Sequence, residues 1–123
     1  MKNSARIALA LVTLVLFLAA GSAFAAAKYH IGIVTGTVSQ SEDDLRGAEQ
    51  LIKEHGAVKD GGMIQHITYP DDFMSQQETF ISSVVSLADD PLMKTIIVNQ
   101  AIPGTAEAFK RVRAKRPDIL LLA

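Results

Sequence analysis

The sequence predicts an α/β fold, a three-layer sandwich in which helices cover a parallel sheet. Three observations predict it. Four short runs of β-branched and apolar residues alternate with three segments whose apolar residues recur at helical spacing. The connections are short, as expected where right-handed βαβ units join neighbouring elements. One run, residues 95–99, is nearly continuously apolar, which suits a strand covered on both faces.

The first 25 residues stand outside this alternation. Of the 123 residues 49% are hydrophobic, and 18 of them lie in residues 1–25. Lys2 and Arg6 precede an apolar run over residues 7–20, broken only by Thr13, and Ala23-Phe24-Ala25 has the small residues of a cleavage site. As a helix this run is about 21 Å long, short of the roughly 30 Å bilayer core. A cleavable signal over 1–25 is therefore expected, with a periplasmic or secreted mature chain that inserts in no membrane. That mature chain carries 10 Lys+Arg against 13 Asp+Glu. A mildly acidic surface gives no electrostatic footprint for nucleic acid. The chain holds no cysteine, which excludes a disulfide framework, a thiolate metal site and a thiol nucleophile.

Each element has its own signal. Residues 29–34 read as a buried strand stopping at Thr35-Gly36. After a polar loop, Ser41 with Asp44 approximates a capping box, and Leu45, Ala48, Leu51 and Ile52 form one stripe up to a stop at Gly56. Lys59-Asp60-Gly61-Gly62 is a turn, and residues 63–69 form a second strand ended by Pro70. Ser75 and Glu78 spell a full capping box before a stripe of Phe80, Ile81, Val84, Val85 and Ala88. After the third strand, Thr105 opens a helix carrying Ala106, Phe109 and Val112, which Pro117 ends. Residues 119–123 are the fourth strand. A chain that stops inside a strand reads as a fragment, so residues 26–123 are expected to be a partial α/β lobe.

The topology sorts the candidate site residues, because open α/β sheets bind ligands beyond the carboxyl ends of their strands. Thr37, Ser39 and Gln40 lie there, just before a helix N-terminus whose free N–H groups favour polar ligands. The loop matches neither G-x-x-x-x-G-K-[ST] nor G-x-G-x-x-G, so no nucleotide fingerprint is present. Asp71-Asp72 follows the second strand beside Phe73, a pairing that suits a hydroxylated or cationic ligand as well as a solvated turn. Tyr69, Asp72 and Phe73 are the candidates from that segment. Asn99 and Gln100 end the third strand with amides that both donate and accept. His30, His55 and His66 have no metal-ligand spacing, so no metal or cofactor is expected. No G-x-S-x-G elbow is present, and no catalytic residue is expected. The basic run Lys110, Arg111, Arg113, Lys115 and Arg116 reads as a solvated helix face.

Residues 29–44, with Gly47, Ala48 and Glu49, resemble an uncharacterised family of exported bacterial proteins. So do Thr68-Tyr69-Pro70-Asp71-Asp72-Phe73-Met74, Ile97-Val98-Asn99-Gln100-Ala101 and Pro103-Gly104-Thr105-Ala106-Glu107-Ala108-Phe109. That family is similar to the type I periplasmic binding proteins of solute uptake. The resemblance implies a flavodoxin-like strand order and two lobes closing on a small polar ligand, of which this chain holds part of the N-terminal lobe. It also implies a membrane permease as partner. The expected function is thus solute binding without catalysis. A cell-envelope sensor or interaction module is the alternative, and an exported α/β enzyme is a third reading.

Overall fold

A computed structural model describes residues 26–123; the expected signal over 1–25 lies outside the described residues. The elements run β1 (His30–Thr35), α1 (Val38–His55), a 3-10 turn (Val58–Asp60), β2 (Ile64–Thr68), α2 (Gln77–Leu87), β3 (Met93–Val98), α3 (Thr105–Lys115) and β4 (Leu120–Leu122). The four strands form one sheet in the order β2-β1-β3-β4, and every pairing is parallel. This is the flavodoxin-like order, with β1 at the point where the connections change direction.

Alternation along β1 divides the core. Ile33 packs with Ala48 of α1 and Ile64 of β2 on one face. Val34 points the other way, into a larger cluster with Phe80, Ile81 and Val84 of α2, Ile96 and Val98 of β3, and Ala108 and Val112 of α3. Successive side chains of a strand face opposite sides, so α1 covers one layer while α2 and α3 cover the other. Phe80, Val84, Ile96, Val98 and Val112 have no exposed surface. Truncating Phe80 to alanine would cost about 3–5 kcal/mol by the usual cavity argument. Leu121 packs on the larger cluster, while its neighbours Leu120 and Leu122 point to the α1 side and are exposed. The α1 layer does not reach as far as β4.

Two expected helices differ in detail. The Ser75–Glu78 capping box does not form, because the Ser75 hydroxyl turns back to donate to the Asp72 carboxylate. Glu78 instead accepts from Arg111 across the α2–α3 interface. In α3 the buried stripe is Thr105, Ala108 and Val112, so Ala108 occupies the inward position expected of Ala106, which is exposed. The helix begins at Thr105, one residue before Ala106, and that sets its face.

Candidate functional site

The parallel strands all end at one edge of the sheet, and three segments meet there. The first leaves β1 through Gly36, which is buried. A Cβ at this position would lie 2.8 Å from the Gln40 Cβ and 2.8 Å from the Tyr69 hydroxyl. Only glycine lets the chain turn this tightly against the second loop. A helical turn over residues 38–40 follows, and the helix then breaks at Ser41, whose φ of −161° and ψ of 86° are extended. The expected helix start at Ser41 is thus a real discontinuity inside a longer element. Its hydroxyl donates to the Asp44 carboxylate at 2.5 Å, rather than to a backbone N–H.

The short turn is tied to the loop after β2. Thr37 and Ser39 both donate to one oxygen of Asp71, Ser39 at 2.8 Å. Gln40 Nε2 donates to the Asp71 carbonyl, also at 2.8 Å. The hydroxyls of Thr37, then Ser39, hold the Asp71 carboxyl below its ordinary value, against a small opposing effect of desolvation. The third segment reaches across from β3. Gln100 takes a left-handed conformation, φ 61°, and its Nε2 donates to Asp44 at 3.0 Å and lies 3.4 Å from the Ser41 hydroxyl. The crevice between β1 and β3, where the strand order reverses, is therefore bridged by Gln100.

The structure gathers Thr37, Ser39, Gln40 and Gln100 at this edge, with Asn99 exposed beside Gln100. It adds Asp71, the neighbour of the expected Asp72, together with Ser41 and Asp44. A signal for Asp71 was present, since hydroxyls two residues apart at Thr37 and Ser39 can share one acceptor. Asp72 stands apart and serves the Ser75 hydroxyl. Tyr69 is buried, 2% exposed, and its ring meets Phe73 at 5.6 Å and Phe80 at 6.3 Å in edge-on contacts. Burial, and then the charge of Asp44, push its phenol up. Both aromatics belong to the rim of the core, Tyr69 wholly and Phe73 in part. An aromatic at a strand end faces inward here because α2 offers Phe80 as a partner.

Neutral donors and acids make up the electrostatics of this edge. Of the acids at this edge, Glu42 pairs with Arg46, and Glu78 and Glu107 pair with Arg111, whereas Asp43, Asp44, Asp71 and Asp72 have no cationic partner among the described residues. An open groove of about 550 Å³ lies beside it, lined by Ile102, Pro103, Gly104 and Phe109. A second, of about 280 Å³, lies near the amino ends of the strands around Ala57, Ile64 and His66. Neither includes a site residue expected from the sequence. Among the described residues, no three His, Cys, Asp or Glu side chains are placed to hold a metal ion, and no helix is long and apolar enough to cross a membrane.

Comparison with known proteins places this edge in a family. Residues 29–123 match the family described as "Protein of unknown function (DUF3798)". The chain belongs to that family. It is similar to a protein of Treponema pallidum (strain Nichols) printed as "Uncharacterized protein", 48% identical over 103 residues, covering 82% of this chain and 47% of the relative. A second Treponema pallidum protein with the same description is 48% identical over 40 residues, covering 32% of this chain and 18% of that one. The DUF3798 chain thus spans about half the length of the first relative and less of the second. Among solved structures it is similar to a "Putative transcriptional regulator" from Clostridium difficile 630. The TM-score is 0.68 at 26% identity, covering 79% of this chain and 29% of that one.

Proposed function

We propose that this family member is part of an exported solute-binding protein that takes a small polar ligand at the carboxyl edge of its sheet. One observation supports this most directly. Hydroxyl, amide and carboxylate groups from three separate loops converge at the reversal of strand order between β1 and β3, where open α/β sheets hold ligands. The ligand contacts proposed are Thr37, Ser39, Gln40, Asp71, Asn99 and Gln100. With Asp43, Asp44, Asp71 and Asp72 carrying no cationic partner among the described residues, the edge favours a neutral hydroxylated or an amine-bearing ligand and disfavours phosphates and carboxylates. The role is binding without catalysis. In a longer two-lobed protein, ligand would shift the population toward a closed form, for delivery to a membrane permease in the periplasm or outside the cell.

A sensor role without transport is the second reading. The likeness to a solved protein described as a "Putative transcriptional regulator" supports it, since a regulatory role asks the edge to respond to a ligand without delivering it. Both readings share the edge. The test is a thermal-shift screen with neutral sugars, nucleosides, amino acids, polyamines and carboxylates. A ligand at 100 times its Kd adds about 2.7 kcal/mol, which raises Tm by more than about 10 °C in a domain of this size. Stabilisation by hydroxylated or amine-bearing compounds is the expected result. Stabilisation by anions alone, or by no compound class, overturns the reading.

A further inference from the structure

We propose that residues 38–40 are a hinged flap, clasped shut over the carboxyl edge by Asp71. Three features of the turn carry this. It is bounded by Gly36, where there is no room for a Cβ beside Gln40 and Tyr69, and by the helix break at Ser41. It has no anchor in the core: Val38 is 53% exposed, Ser39 and Gln40 are exposed, and the first buried residue of α1 is Ala48. Its side-chain ties to the rest of the molecule go to one residue, since Thr37, Ser39 and Gln40 all donate to Asp71.

A helical turn without core contacts opens easily unless something local holds it. Here the holding contacts are side-chain donors on a single acceptor residue, so they make and break together. When the clasp is shut, the hydroxyls of Thr37 and Ser39 are occupied by Asp71. When it opens, two hydroxyls, one amide and one carboxylate become free at once. The break at Ser41 confines the movement, because Gln100 and Asp44 hold the far side of the hinge. The flap therefore swings without pulling on the body of α1. The clasp does not depend on which ligand the edge takes, or on whether it takes one.

Amide hydrogen exchange on the intact protein without ligand tests it. The readouts are the Gln40 and Ser41 amides, which both donate to the Thr37 carbonyl while the clasp keeps the turn wound and lose that protection as the released turn, too short to hold itself, unwinds. Asp71→Ala is expected to speed their exchange by about tenfold, the loss of roughly one charge-assisted hydrogen bond, while amides of α1 beyond Ala48 and of β1 stay unchanged. The double variant Thr37→Val with Ser39→Ala removes the donors instead and is expected to give the same pattern, which keeps the test open if Asp71→Ala folds poorly. Asp72→Ala, whose carboxylate serves Ser75, is expected to leave both amides at the wild-type rate. Unchanged exchange at Gln40 and Ser41 in the clasp variants overturns the proposal, and so does acceleration spread evenly through α1 and β1. A failed ligand screen with a positive exchange result would remove the binding role and leave the flap standing.

Discussion

The two ends of the sheet are built from different chemistry. At the amino end, His30 Nδ1 lies 2.5 Å from an Asp90 carboxylate oxygen, and the Leu92 N–H donates to the other oxygen at 2.9 Å. Arg116 donates to the carbonyls of Ala88, Asp90 and Met93 and pairs with Asp118, which Lys94 also meets at 3.1 Å. Opposite charges and backbone carbonyls close this end. At the carboxyl end hydroxyls and amides meet Asp44 and Asp71, while Arg46 and Arg111 pair with the flanking Glu42, Glu78 and Glu107, and the backbone departs from regular geometry at Ser41 and Gln100. Exposed contacts from neutral donors to carboxylates contribute little to stability and exchange readily with water or another polar group. One sheet thus has an end built to hold and an end able to trade partners.

Glycine substitutions are expected to give the largest contrast between the ends. Gly62, next to the amino end of β2, packs on the backbone of Gly56, and a Cβ there would lie 2.2 Å from the Gly56 carbonyl carbon. Backbone cannot swing aside as a side chain does, so Gly62→Ala is expected to cost more than about 3 kcal/mol, beyond the usual overpacking range. At Gly36 the nearest atoms are side-chain atoms at 2.8 Å, with the Ser41 nitrogen at 3.2 Å. Gly36→Ala can be accommodated by moving the turn, at about 1–3 kcal/mol. Urea denaturation of both variants measures the order. A larger loss at Gly36 would reverse the assignment of the rigid and yielding ends.

Carboxylates give the next contrast. Burial pushes the Asp90 carboxyl up, but hydrogen bonds from His30 and the Leu92 N–H, with the charges of His30 and Arg116, outweigh it and hold the group below its usual range. Asp90→Ala, which strands the Leu92 N–H and its histidine partner, is expected to cost about 1–2 kcal/mol. Asp72→Ala at the carboxyl end is expected to stay within about 0.5 kcal/mol of wild type. The pH dependence follows from the sign of the shift. A carboxyl depressed in the folded state stabilises fully above its unfolded value of 3.8 and loses that effect as pH falls through the lower folded value. Acid denaturation of Asp90→Asn should therefore converge with that of the wild type only in this acidic window.

The layered core was legible because burial leaves a periodic mark. The stripe Phe80, Ile81 and Val84 and the apolar run through Ile96, Ile97 and Val98 lie where the spacing predicted. Local polar signals were less reliable. Ser75 and Glu78 have the spacing of a capping box, yet Ser75 turns back to Asp72 three residues earlier and Glu78 pairs with Arg111 of the neighbouring helix. The adjacent pair Asp71-Asp72 shows the limit at the site itself. A strand has a period of two that assigns neighbours to opposite faces, but a loop has none. Nothing local says that Asp71 faces Thr37 while Asp72 turns to Ser75. Tyr69 likewise required knowing that Phe80 would stand behind it.

Gln100 gives the smallest expected effect and the sharpest test of the yielding end. A left-handed conformation costs a residue with a Cβ about 1 kcal/mol, and glycine almost nothing. At φ 61° Gln100 bears that cost while its amide reaches Asp44 at 3.0 Å across the crevice. Gln100→Ala keeps the strain and removes the bridge, whereas Gln100→Gly removes both. If the sheet fixes the backbone whether or not the bridge is present, the glycine variant should be about 1 kcal/mol more stable than the alanine variant, close to wild type in thermal denaturation. Equal stabilities would mean that the backbone after β3 relaxes once the amide is gone. Alanine and glycine therefore separate a backbone fixed by the sheet from one held in place by Ser41 and Asp44, which the wild-type structure alone superimposes.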